Sequence, residues 1–226
     1  MDMGFGAFGK MPSVGDFFRL GAPPGFVAIW DDWIQKAMLV AQSAFGPDWD
    51  SRYMSAPIWR FGLSAGLAGP AKIVGVVMPS VDRVGRRFPL TLMAPVPAAG
   101  PILRDHFGNE PLFETLEDLV LDALDDGMSR DMLEQRLKDI PPPENGEAAP
   151  LRRVGGGLVL ACAGRAGPLP DLAAALLAER HARPSIWSAN VRDSHRLLIC
   201  DGLPGEMHMQ ALFHPEASIW HHGQPA

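Results

Sequence analysis

The chain reads as a mixed α/β fold of the α+β kind, and three features carry that prediction. KIVGVVMPS (72–80) and FPLTLMAPV (88–96) are short apolar runs rich in β-branched residues, the composition of buried strands. The nine residues from Ser80 to Phe88 are too few for a parallel crossover, which takes a dozen or more, so the two runs pair antiparallel. Phe26, Trp30, Trp33, Ala37, Met38, Ala41 and Phe45 recur at three- and four-residue spacing, the period of an amphipathic helix. In the last third, strand-like and helix-like segments alternate, which adds parallel or mixed character to the sheet.

The elements follow in order. GFGAFG (4–9) is a short glycine-rich first strand, and KMPSVGDFFRLGAPPG (10–25) is a loop in which Gly15 and Asp16 precede two phenylalanines. Pro23 and Pro24 suit the first turn of the following helix, and Gly46 and Pro47 end it. After an aromatic segment, DWDSRYMSAP, the alternation of Ile58, Arg60 and Gly62 with Trp59, Phe61 and Leu63 gives a strand with one bulky face. Leu112, Leu116, Leu119, Val120 and Ala123 form one helical stripe; Met128, Met132, Leu133, Leu137 and Ile140 form a second after Gly127. The proline-rich stretch 139–151 has the composition of a flexible, solvated linker and marks a subdomain boundary within a single domain over residues 1–226. Beyond it VGGGLVLACAG reads as a strand, PDLAAALLAERHA as a helix, PSIWSANV and RLLICDG as strands, and GEMHMQALFH as a final helix.

Composition excludes several functions. A net charge of −6 and a pI near 5.6 do not suit a surface built to neutralise nucleic-acid phosphates. No run approaches the ~18 apolar residues of a membrane helix, and MDMGFGAFGK lacks the basic flank of a signal peptide, so a cytoplasmic protein without membrane insertion is expected. Cys162 and Cys200 lie inside apolar runs with no CxxC partner and read as small core residues.

The usual chemical motifs are weak here. Gly4, Gly6 and Gly9 match GxGxxG, but no strand precedes them and Pro12 follows, so a dinucleotide turn is not expected. Gly155 to Gly157 precede a strand instead of opening a helix. His106, His181, His195, His208 and His214 lack ligand spacing, and His221 and His222 sit near the end, so they read as surface or tail residues and no metal is expected. There is no GxSxG, and neither cysteine sits at a helix N-terminus that would activate it. The acid pairs Asp31–Asp32 and Asp125–Asp126 diverge by about 100° on a helix and do not converge on one substrate. Trp30, Trp33, Trp49 and Trp59 read as core. No cofactor is called for.

PSVDRVGRRFPL (79–90) is different. Arg83, Arg86 and Arg87 share a glycine-containing loop with Ser80 and Asp82, so guanidinium and backbone N–H groups could converge on an anion. Equally, Asp82 could pair with an arginine while Gly85 supplies a positive φ. The residues alone leave both readings open.

FGKMPSVGDFFRLGAP (8–23), WDDWIQ (30–35), APIWRFGLSAG (56–66) and GVVMPSVDRVGRRFPLTL (75–92) together resemble the TagF family of type VI secretion-associated proteins. A GKxPxxGDF loop, a W-D-x-W helix, a W-R-F strand and a P-S-x-D-x-V-G-R-x-F-P-L loop occur in the family's order and spacing. SIWSAN (185–190), GLP (202–204) and ALF (211–213) extend the likeness more thinly. The resemblance implies a compact α/β sandwich around a largely antiparallel sheet. It also implies a cytoplasmic bacterial regulator that represses type VI secretion posttranslationally through protein contacts, without catalysis, the forkhead-associated scaffold protein Fha being the expected partner. Some relatives carry a fused PP2C-type phosphatase, expected here as a separate chain. The positions matching the family's motifs are Gly15, Asp16 and Phe17, then Trp59, Arg60 and Phe61, then Ser80, Asp82, Gly85, Arg86 and Pro89, with Arg83 and Arg87 in the same loop. The two motif loops are expected to meet at one end of the sheet, with Asp16 or Asp82 holding an arginine. The alternative is a phosphate- or nucleotide-ligand sensor or hydrolase using the arginines of 79–90.

Overall fold

The apolar runs at 72–78 and 90–96 lie at the centre of the fold in the computed structural model, which describes residues 4–97, 99–144, 146–162, 167–178 and 180–221. The chain order is β1 (Gly6–Gly9), β2 (Phe18–Leu20), α1 (Phe26–Phe45), α2 (Trp49–Ser55), β3 (Trp59–Leu63), β4 (Lys72–Met78), β5 (Leu90–Val96), α3 (Ile102–Gly108), α4 (Glu110–Asp122) and α5 (Arg130–Asp139). It continues with β6 (Arg152–Val154), β7 (Gly157–Val159), α6 (Leu169–Ala178), β8 (Pro184–Val191), β9 (Ser194–Asp201) and α7 (Glu206–Leu212).

Seven strands form one sheet in the order β2-β1-β5-β4-β3-β8-β9, and every neighbouring pair is antiparallel. The parallel character expected of the last third is therefore absent from the described strands. The reason is local: β8 and β9 are joined by a two-residue turn between the paired Val191 and Ser194, which fixes them antiparallel. Helices α3 to α6 then cover a face of the sheet without linking parallel neighbours.

Period-two alternation divides the core. Ile73 and Val77 of β4, Met93 of β5, Trp59, Phe61 and Leu63 of β3, and Trp187 of β8 face α1, α2 and α7. Val74, Val76 and Met78, Leu90, Leu92 and Ala94, and Ile186 face the side covered by α3 to α6. Because both faces carry helices, the inner strands are buried throughout. Aromatics dominate the α1 side: Trp30 stacks on Phe26 and Trp187 at centroid distances of 5.1 and 5.9 Å, and its indole donates to Thr91 Oγ1 at 2.9 Å. Gly75 allows the close approach of β3, β4 and β5. A Cβ there would lie 2.1 Å from the Leu92 carbonyl oxygen and 2.8 Å from the Phe61 ring.

Several local readings are corrected. Phe18–Leu20 is a short edge strand, and 49–55 and 102–108 are helices that their short lengths concealed. VGGGLVLACAG is no single strand: Gly155 and Gly156, at φ 54 and 56°, turn the chain so that β6 and β7 form a separate hairpin. Cys162 is exposed and Cys200 half-buried, both as free thiols, so neither is a true core residue. The stretch 139–151 is fastened at several points: Pro143 is buried, Asn109 exchanges hydrogen bonds with the Glu144 backbone at 2.7 and 2.8 Å, and Ala149 N–H donates to Asp171 at 2.9 Å. His222 lies outside the described residues.

Candidate functional site

The two motif loops meet beyond the ends of β1, β4 and β5. β1 and β5 pair directly, so the loop after β1 and the loop before β5 leave the sheet side by side. The Arg83 backbone N–H donates to the Val14 carbonyl at 3.1 Å, and Arg86 Nη2 donates to the Gly15 carbonyl at 2.7 Å.

Asp82 is the hub of this junction, although it belongs to a loop that composition marks as exposed; its side chain is fully buried. Its Oδ1 accepts the backbone N–H groups of Val84 and Arg86 at 3.1 and 2.9 Å. Its Oδ2 accepts Arg86 Nε at 2.6 Å and lies 3.0 Å from the ammonium of Lys10, which is itself buried. Burial alone would push the carboxyl up; the bonds from Arg86, Lys10 and Val84 outweigh it and hold Asp82 well below the usual carboxylate range. Gly85, at φ 82°, lets the chain turn back so that its N–H reaches the Asp82 carbonyl at 2.8 Å.

A second anchor lies beneath. Tyr53, the chain's single tyrosine, donates its hydroxyl to the Ser80 carbonyl at 2.7 Å and accepts the Ser80 N–H at 3.0 Å. Burial pushes the phenol far above its ordinary value, although the Ser80 bond and nearby Arg87 act the other way, so it remains a neutral donor. Arg87 turns to Asp50 at 2.8 Å, tying the loop to α2.

These anchors leave an amphipathic tip. Phe17 is 48% exposed and Val84 70% exposed, and Arg83 and Arg86, which flank Val84 in the same loop, are exposed as well. Phe17 is seated edge-on against Phe88 at 4.7 Å with the Lys10 ammonium 4.7 Å from its ring centroid, so the aromatic is both supported and presented. Asp16 is exposed; its carboxylate only approaches Arg86 at 3.9 Å, while caping the Phe17 N–H at 2.8 Å. The arginine is thus held by Asp82 and the Gly15 carbonyl.

The W-R-F strand is separate in role. Trp59 donates to the Leu212 carbonyl at 2.8 Å and, with Pro79 and Pro89, lines a small apolar cavity of about 30 Å³ under the loop. Phe61 packs on Trp30 and Trp187 in the core. Arg60 points to the other face, where it meets Glu117 through two bonds of 2.7 and 2.8 Å and Glu110 at 2.5 Å. Burial opposes its charge, but the two glutamates more than compensate and hold the proton more tightly than usual. It clamps α4 onto β3. Lys10, Asp50 and Tyr53 are the members of the junction not singled out from sequence. Lys10 was visible within the GKxPxxGDF pattern, whereas Tyr53 and Asp50 come from a helix whose contact with the loop has no local signal.

Over residues 6–140, more than half of its length, the chain matches the TagF N-terminal domain family, described as type VI secretion system-associated. The crystal structure of PA0076 from Pseudomonas aeruginosa PAO1 matches it with a TM-score of 0.76 at 30% identity, over 95% of this chain and 96% of that one. No curated individual protein matches the sequence. The matched region contains β1 to β5, α1 to α5 and both loops of the junction built around Asp82, and the chain belongs to the TagF N-terminal domain family of type VI secretion system-associated proteins.

Proposed function

We propose that this protein is a non-enzymatic, cytoplasmic regulator of type VI secretion that represses assembly or activity of the apparatus posttranslationally through protein contacts. The observation that carries the reading is the division of labour at the motif junction. Asp82, Lys10 and Tyr53 are buried and internally bonded, while Phe17, Val84 and Arg83 stand outward on the base they create. Buried polar groups with satisfied partners fix geometry, and an exposed aromatic beside arginine is the composition of a protein-contact hot spot. The partner proposed is the forkhead-associated scaffold protein Fha, with a separate PP2C-type phosphatase acting on the same system.

An anion site formed by the three arginines is less favoured at this loop. Arg86 and Arg87 already face carboxylates at 2.6 and 2.8 Å, and Asp82 places a negative charge under the loop where a phosphate would need to sit.

Affinity capture of the tagged protein from its own cells tests the reading. Arg83→Glu, Phe17→Ser and Val84→Asp change the tip without removing a partner of Asp82 or adding a charge beside Lys10. Loss of Fha from the captured material, together with raised secretion, is the expected outcome; undiminished capture and full repression in all three variants would remove the tip from the mechanism.

A further inference from the structure

On the α1 side of the sheet, α2, the β8–β9 turn and the segment after α7 line a cavity of about 390 Å³. Its polar lining includes Arg52, Ser55, Asn190, Arg192, His214 and Glu216. Two independent irregularities meet there.

The first is Arg52. Its guanidinium lies 4.9 Å from the Phe45 ring centroid and has no carboxylate within ion-pair distance among the described residues. Its Nε is buried without a hydrogen-bond partner, and its Nη1 donates to His214 Nδ1 at 2.8 Å. A cation can donate to that nitrogen only when it is unprotonated, so the neutral His214 ring carries its proton on Nε2 and keeps a free donor.

The second is Arg192. It is the first residue of the two-residue turn between β8 and β9, at φ 52°, the one non-glycine residue with positive φ among those described. A turn with a left-handed first position ordinarily takes glycine there. An arginine at a strained position beside a cavity points to a task for its side chain. Its contact with Glu216 is 3.9 Å, beyond hydrogen-bonding distance, and both groups are largely exposed, so Glu216 is an exchangeable counter-charge.

We propose that this cavity binds a phosphate monoester, with Arg52 and Arg192 as cationic partners of the phosphate and His214 Nε2–H as a neutral donor. Two guanidinium groups and an imidazole supply more donors than the two oxygens of a carboxylate use, and suit the three free oxygens of a monoester. Pro57, Val191, Phe213 and Pro215 provide apolar walls for the organic part of the ester. This site is independent of the motif tip: it uses none of the arginines in 79–90.

The test is titration of the full chain with inorganic phosphate, free phosphoserine, glycerol phosphate and a phosphoserine peptide, read by amide chemical shifts at constant ionic strength. Saturable shifts at residues 52, 190–192 and 214 are expected. Comparison of the peptide with the small esters shows whether the phosphate comes from a modified protein or a metabolite. Arg192→Gly, which suits the turn backbone and so does not unfold the protein, and Arg52→Lys should each weaken binding about tenfold or more, the loss of one charge-assisted hydrogen bond. Arg83→Ala should leave it unchanged. Absence of saturable shifts with every phosphate probe, or unchanged affinity in both Arg192→Gly and Arg52→Lys, would overturn the assignment.

Discussion

Arg86 Nε sits 2.6 Å from Asp82 Oδ2 while the same Asp82 carboxylate accepts the Arg86 backbone N–H at 2.9 Å, so one buried acid holds both ends of the residue four positions ahead. The loop conformation is therefore set from inside. The guanidinium then bridges to the Gly15 carbonyl and joins the second loop to the first.

Asp82→Ala should lower the thermal midpoint and mobilise both loops, because it leaves the buried Lys10 ammonium and two backbone N–H groups without their acceptor. Asp16→Ala, at a side chain 79% exposed, should leave the midpoint nearly unchanged. Differential scanning calorimetry of the two variants makes the comparison. Equal effects would show that Asp82 is not the hub.

Gly85 and Gly75 separate conformational from steric demands. At Gly85 a Cβ meets nothing within 4 Å, so Gly85→Ala should cost only the left-handed backbone penalty, about 1–2 kcal/mol. At Gly75 a Cβ would lie 2.1 Å from the backbone oxygen of Leu92 in the middle of the sheet, so Gly75→Ala must move a strand and should fail to give a folded soluble protein. Chemical denaturation of the first and the soluble yield of the second are the measurements.

Arg60 forms a second electrostatic clamp, outside the junction. Its side chain is 6% exposed and bound by Glu117 and Glu110, so Arg60→Ala should cost about 3–5 kcal/mol by leaving Glu117 partly buried without its cation. Arg60→Lys should recover only part of this, because an ammonium cannot form the two parallel bonds to Glu117. Urea unfolding of the two variants gives the difference.

What was legible in the sequence follows from the range of the forces involved. The strands at 72–78 and 90–96 and helix α1 carry their own periodicity, and the loop length between the strands dictates antiparallel pairing. The last third misled because alternation of helix and strand states nothing about which strands become neighbours; β8 pairs with β3, more than a hundred residues earlier. At the junction, Asp82 and Arg86 could be read as partners because they are four residues apart. The anchor from Tyr53 to Ser80 could not, since a tyrosine in a seven-residue helix carries no mark of the loop it will meet. Arg60 in a strand of bulky alternation gave no sign that the non-aromatic face would also be covered, by α4.

His106 shows the same limit, and its burial makes stability depend on pH. Read from spacing as a surface residue, it lies 3% exposed under Phe113, with Nε2 2.9 Å from Ser188 Oγ and Nδ1 buried without a partner. Burial, reinforced by the nearby Arg60 charge, pushes its pKa down to about 3. The unfolded chain binds this proton near the ordinary value of about 6.5, whereas the folded chain does not until much lower pH. Between those values the unfolded state holds more protons, so stability rises with pH and is lost on acidification, at up to about 1.4 kcal/mol per pH unit from this group. The contribution is fully present above about pH 6.5 and falls progressively toward pH 3; from about pH 4 downward, the ordinary carboxyl value, loss of the Asp82 contribution adds to it. Denaturant unfolding from pH 7.5 to pH 5 measures the slope. His106→Gln, which keeps a donor for Ser188 but cannot titrate, should flatten it, and a slope unchanged in that variant would place the acid sensitivity in other groups.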